Sequence, residues 1–207
     1  MPASFDPTAP AAGSTHRTAS PSRKVIHTDQ SAPTQRVSDK IILGLHESVT
    51  PGAMSGWFFS AEWSHLINSA PNYGVDKGAF AQRLGAAAVL GSSKEIFSDS
   101  VLAPVFHQDP RYYQLGRSHK FFNRAVYAAT RSVIGRTDSG RAIPNYASIL
   151  GTGGAAALTR AYYPDRNVTG SQFAQTWATS TGGTAFGYLV SEFSDDLLQW
   201  VHLKKHE

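Results

Sequence analysis

The run Ala142–Thr159, AIPNYASILGTGGAAALT, carries no charged residue, and its reading decides how the rest of the chain is read. It could be a phosphate-cradling loop, a membrane strand or a helix. Gly151-Thr152-Gly153-Gly154 lacks the Lys-Ser/Thr pair of a P-loop, and no strand pattern precedes it. Sustained period-two alternation between hairpin turns, which a barrel wall needs, is missing. The triplet Ala155-Ala156-Ala157, matched by Ala86-Ala87-Ala88, favours helix. Gly151, Ala155 and Thr159 then recur at one interval on one helix face, where small residues admit a neighbouring backbone. A glycine inside a helix costs up to about 1 kcal/mol against alanine, so this face calls for a packing partner.

Working outward, a second uncharged run, Asn167–Ser191, repeats the device with Gly183, Gly187 and Ser191. The Gly183/Gly187 face is a candidate surface for homo-oligomer formation. The run is long enough to span a bilayer, but it is heavy in Thr, Ser, Gln and Gly, whereas a spanning helix needs about 20 mainly apolar residues. Other helices follow from caps and breakers. Asp39–His46 forms a short helix, and Thr50-Pro51 supplies an N-cap and first position for one running through Trp63 and Leu66. Asp76 caps a helix from Lys77 that Pro104 ends or kinks. Ser118 caps one from His119 to about Gly135, Pro144 starts the helix holding Gly151, and Ser171 opens a long last helix through Trp200. The expected fold is all-α: a single bundle of five or six Gly/Ala-rich helices.

Residues 1–38 are rich in Pro, Ala, Ser and Thr, with Val25-Ile26 their one adjacent aliphatic pair. They read as a disordered tail before a helical domain spanning 39–207. The chain as written shows no apolar core of a signal peptide. Over its 207 residues the charged fraction is 16%, below the roughly 25% usual for soluble domains, and the net charge is +4. The absence of cysteine excludes disulfide scaffolds, thiolate metal sites and a Cys nucleophile.

The densest polar cluster is His107-Gln108-Asp109-Pro110-Arg111-Tyr112-Tyr113. It holds a possible base, a carboxylate to orient it and an arginine for an anion. It reads equally as a turn fastened by Asp109, Arg111 and the tyrosines. Thr137-Asp138-Ser139-Gly140 is a turn by composition, in which Ser139 lacks the frame of a nucleophile elbow. The catalytic candidates are therefore His107, Asp109, Arg111, Asp138 and Ser139. The pairs Glu95/Asp99 and Glu192/Asp196 each share a helix face, but no Glu-x-x-His repeat accompanies them. No metal or cofactor is expected, and these carboxylates read as partners for Arg83, Arg124 or Arg131. Arg117, Lys120, Arg124, Arg131 and Arg136 lie on or beside the third helix of the cap reading, where they suit a membrane surface or an anion. Binding to nucleic acid is not expected, since the basic residues are dispersed and no binding motif accompanies them.

Taken in order, His107-Gln108-Asp109-Pro110-Arg111-Tyr112-Tyr113, Thr137-Asp138-Ser139-Gly140, Asn145-Tyr146-Ala147-Ser148 and Tyr162-Tyr163-Pro164 resemble a family of uncharacterised bacterial proteins common in Acidobacteria. The resemblance covers roughly residues 75–200. It implies an exported or envelope-associated location and no particular activity. The expected function is therefore a non-enzymatic role, structural or in interactions, in the cell envelope or against a membrane, with a membrane surface or envelope protein as partner. A hydrolase-like enzyme built around His107, Asp109 and Arg111 is the alternative, and an outer-membrane β-barrel is a second one.

Overall fold

The computed structural model describes residues 17–200. It is mostly helical, with α1 at Val37–Glu47, α2 at Pro51–Leu66, α3 at Lys77–Glu95, α4 at Ala103–Val105, α5 at Phe121–Thr130, α6 at Tyr146–Leu158 and α7 at Gly170–Trp200. Two of the expected caps are in place: Thr50 Oγ1 accepts from Ala53 N, and Asp76 Oδ1 from Ala79 N. Between α3 and α4 the helix widens into a π-helical segment, Ile96–Leu102, just ahead of Pro104.

That segment is the centre of the molecule. A Cβ at Gly44 of α1 would stand 2.8 Å from Ser100 N, and one at Gly151 of α6 would stand 2.7 Å from Ser98 Cα. The two glycines therefore let α1 and α6 lie directly on its backbone, burying Ser98, Asp99 and Ser100. The packing partner demanded by Gly151 is this segment. Ala155 and Thr159, at the same spacing, are buried too, as is Ala156.

The fold departs from the all-α expectation through short strands of two to four residues: β1 Arg17–Thr18, β2 Val25–Ile26, β3 Gln30–Ser31, β4 Gln108–Asp109, β5 Tyr112–Tyr113, β6 Ile134–Thr137 and β7 Ala142–Pro144. A membrane-spanning strand needs about 9–11 residues, so none of these is a barrel wall. The pairings are β1 with β3 and β2 with β5, both parallel, and an antiparallel sheet ordered β4-β6-β7. Residues 1–16 of the expected tail lie outside the described residues, whereas 17–36 are built into the domain. Ile26 is buried, and Val25 and Ile26 pair with Tyr112 and Tyr113.

The bounds of α5, α6 and α7 also shift. Helix α5 starts after Lys120 rather than Ser118, because Leu115 N and Gly116 N are drawn onto the Glu192 carboxylate of α7. It stops at Thr130, and the β-branched Ile134 begins β6 instead. Helix α6 starts at Tyr146 rather than at Pro144, which ends β7, and Asn145 caps it by accepting from Ser148 N. Thr169 Oγ1 accepts from Gln172 N at the start of α7, the place expected for Ser171.

Side-chain size is distributed inside out. The buried apolar residues are mostly alanines, joined by Ile26, Leu43 and Tyr112. Buried beside them are Lys40, Arg83, Asp99, Arg111, Arg124 and Glu192. Phe59, Phe121, Phe122, Phe186 and Trp200 are instead 66–79% exposed.

Candidate functional site

The turn between α4 and β5 determines where the predicted site residues go. His107 takes a positive φ of 51°, which frees its carbonyl to accept from Asp138 N and turns the chain into β4. Register then sets Gln108 opposite Thr137 and Asp109 opposite Arg136. Gln108 is fully buried and ties the sheet to α6, donating from Nε2 to Pro144 O and accepting at Oε1 from Ala147 N.

Asp109 spends both oxygens locally. Its Oδ1 accepts from Arg111 N at 3.0 Å and Arg111 Nε at 2.9 Å, and its Oδ2 accepts from Arg111 Nη2 at 2.7 Å and Tyr113 OH at 2.6 Å. Burial opposes ionisation, but the bonds from Arg111 and Tyr113 outweigh it and hold Asp109 below its ordinary pKa. The carboxylate has no oxygen left to orient His107, whose side chain is exposed. Ser139 is also exposed and shares a hydrogen bond with Thr137 Oγ1. Asp138 pairs with the buried Lys40 at 2.6 Å. Of the five catalytic candidates, Asp109 and Arg111 line a common cavity.

That cavity, about 20 Å³, lies where β5, α5 and β6 meet and is walled by Asp109, Arg111, Tyr113, Tyr127, Arg131, Arg136, Asn145 and Tyr188. Its three arginines lie over tyrosine rings: Arg136 is 4.1 Å and Arg111 5.7 Å from the Tyr113 centroid, and Arg131 is 4.7 Å from that of Tyr127. Tyr127 OH donates to Tyr113 O, bracing α5 against β5. Burial, and behind it the Asp109 charge, push the Tyr113 phenol well above its ordinary pKa. The cavity is thus neutral in its tyrosines and cationic in its arginines.

The remaining basic candidates divide. Arg124 is buried and cannot be a surface contact. Its Nε meets Glu192 Oε1 at 2.9 Å and its Nη2 meets Asp196 Oδ2 at 2.8 Å. Glu192 also accepts from Tyr112 OH, Leu115 N and Gly116 N, so it is satisfied on both oxygens. Arg117 pairs with Asp196 at 2.6 Å, while Lys120 is exposed. The carboxylates do find cations, but not all the expected ones. Glu95 and Asp99 pair with Lys24 from the N-terminal segment. Arg83 bonds the carbonyls of Ser69 and Gly74, and Arg131 stacks on Tyr127. Burial first, and then Glu95 against the pull of Lys24, raise Asp99 to about 7.

Among the described residues, no group of three or more His, Asp and Glu side chains could hold a metal ion. Sequence reasoning missed Lys24, Gln108 and the ring supports at Tyr113 and Tyr127. The one local signal for the first was its neighbour, the aliphatic pair Val25-Ile26. In comparisons with known proteins, no family model, curated protein or solved structure matches this chain.

Proposed function

We propose that the protein is a non-enzymatic helical component of the bacterial envelope that works by lodging its apolar helix faces against a membrane surface or an envelope protein. The observation carrying this reading is the inside-out distribution of side chains. Large exposed patches of apolar surface on a folded domain mark sites of protein or membrane contact. Here α2 displays Phe58, Phe59, Trp63 and Leu66, α5 displays Phe121, Phe122 and Val126, and α7 displays Phe186, Val190 and Trp200. No helix among the described residues is long and apolar enough to cross a membrane, so the contact proposed is lateral or interfacial. The resemblance of the motif layout to that of the envelope family supports the same compartment. On α7, a Cβ at Gly183 or Gly187 would meet nothing within 4 Å, which supports that stripe as a homo-oligomer contact.

Vesicle flotation of the full chain tests the proposal. The wild type is expected to float with phosphatidylcholine–phosphatidylglycerol vesicles, and a Phe121→Ser/Phe122→Ser variant is expected to float poorly while remaining folded. Wild-type protein that stays at the bottom of the gradient, and that fractionates from cells without detergent, overturns it. The exposed His107 and the internally paired Asp109 give the hydrolase reading no assembled machinery.

A further inference from the structure

We infer that the arginine–tyrosine cleft between β5, α5 and β6 is a binding site for a phosphate group, one oxygen of which occupies the cavity among Arg111, Arg131 and Arg136. Three observations carry this independently of the proposed membrane role. The first is charge. Asp109 neutralises Arg111, but among the described residues neither Arg131 nor Arg136 has a carboxylate partner, which leaves two positive charges at one small cavity. The second is unmet hydrogen bonding. Arg111 Nη1 and Arg131 Nε are buried donors without acceptors, and the Arg111 side chain is only 1% exposed. A buried N–H without an acceptor is costly, so natural structures rarely keep one for nothing.

The third is preorganisation. Asp109 fixes Arg111 through a two-pronged pair, and the Tyr113 and Tyr127 rings support Arg136 and Arg131. Guanidinium groups already held in place lose little freedom on binding, and their planar forks match phosphate oxygens. Asn145, which caps the N-terminus of the 13-residue helix α6, also lines the cavity and brings the positive end of that helix dipole to it.

Size and charge choose among ligands. A cavity of about 20 Å³ admits one water-sized atom, so the rest of the ligand stays at the mouth. A water could accept from the orphaned N–H groups but would leave both charges unmatched. A carboxylate would match one of them. A phosphate monoester, as its dianion, matches two.

Titration calorimetry of the full chain in phosphate-free buffer tests the site, with inorganic phosphate, acetate and chloride as probes. Saturable one-to-one binding of phosphate is expected, with acetate weaker by about tenfold or more. Arg131→Gln and Arg136→Gln should each weaken phosphate by a similar factor without loss of helical circular dichroism. In the wild type, phosphate should shift the Arg131 Nε–H resonance, a readout that needs no variant. Phosphatidylcholine vesicles containing phosphatidic acid, run against phosphatidylcholine alone, separate the two sources. Competition with inorganic phosphate identifies a lipid headgroup, and its absence identifies a free phosphate ester. The proposal fails if folded wild type shows no saturable phosphate binding and no Arg131 shift, if both glutamine variants bind as tightly as wild type, or if acetate or chloride binds equally well.

Discussion

Helices α6 and α7 carry the same spacing of small residues, and the molecule uses them differently. On α6, Gly151 is sealed against the π-helical segment and Ala155 is buried, and Gly151 sits so close to Ser98 that even a methyl group is excluded. On α7, Gly183 and Gly187 face open space, and the helix is instead anchored toward its C-terminal end by Glu192, buried in a cluster with Arg124 and Tyr112. Small-residue spacing thus specifies a face able to receive a backbone, while a partner has to be supplied from elsewhere. Ser98 and Ser100 supply it for α6 and α1, because small side chains on a widened helix let both neighbours approach.

The largest expected effect is on the α7 anchor. Arg124→Met leaves Glu192 charged, buried and short of its cation, and breaking such a pair costs about 3–5 kcal/mol. A urea unfolding midpoint close to wild type would mean that α7 is held by something other than this cluster. Next comes the sealed stripe. Gly151→Ala forces a methyl group onto Ser98 backbone at 2.7 Å, an overpacking worth about 1–3 kcal/mol, read from the same urea curves.

A pH titration of stability probes the segment on which α6 is packed. Asp99 is raised from 3.8 to about 7, so the folded chain holds its proton more tightly than the unfolded one. Stability therefore falls as pH rises through that window and levels above it, by at most about 1.4 kcal/mol per pH unit. Glu95 acts in the opposite sense at lower pH. Burial disfavours its charge, but Lys94 and Lys24 overcome that, hold it at about 2, and give stability that is lost as pH falls below 4.5. Asp99→Asn should flatten the upper slope alone, and an unchanged slope would place its source elsewhere. The smallest effect belongs to the bare stripe. Gly187→Ala should stabilise the isolated chain by about 0.5–1 kcal/mol through helix propensity while weakening self-association in sedimentation. Equal losses from Gly151→Ala and Gly187→Ala would erase the distinction between the stripes.

Local chemistry carried the helical part of the fold. Thr50 and Asp76 cap as their side chains dictate, and the Gly151 face packs as its spacing demands. What stayed hidden depends on residues distant in sequence. Helix α5 is delayed because Glu192, 76 positions beyond Gly116, claims two backbone N–H groups of the preceding loop. Lys24 could not be matched to Asp99, 75 positions away, from composition that resembles a tail. The site was half legible: Asp109 and Arg111 were visible as a motif, and the basic stretch around α5 as charge. That Arg131 and Arg136 meet Arg111 at one cavity, with Tyr113 and Tyr127 as supports, follows from strand register and from α5 packing beside β5.

The N-terminal segment has a consequence for the order in which the chain assembles. It is synthesised ahead of every helix among the described residues, yet Lys24 needs Asp99, and Val25 and Ile26 need Tyr112 and Tyr113. Closing loops of that length costs entropy that only finished partners repay. Residues 17–36 therefore dock onto helices already formed, and a segment made before its partners is among the last to find its place.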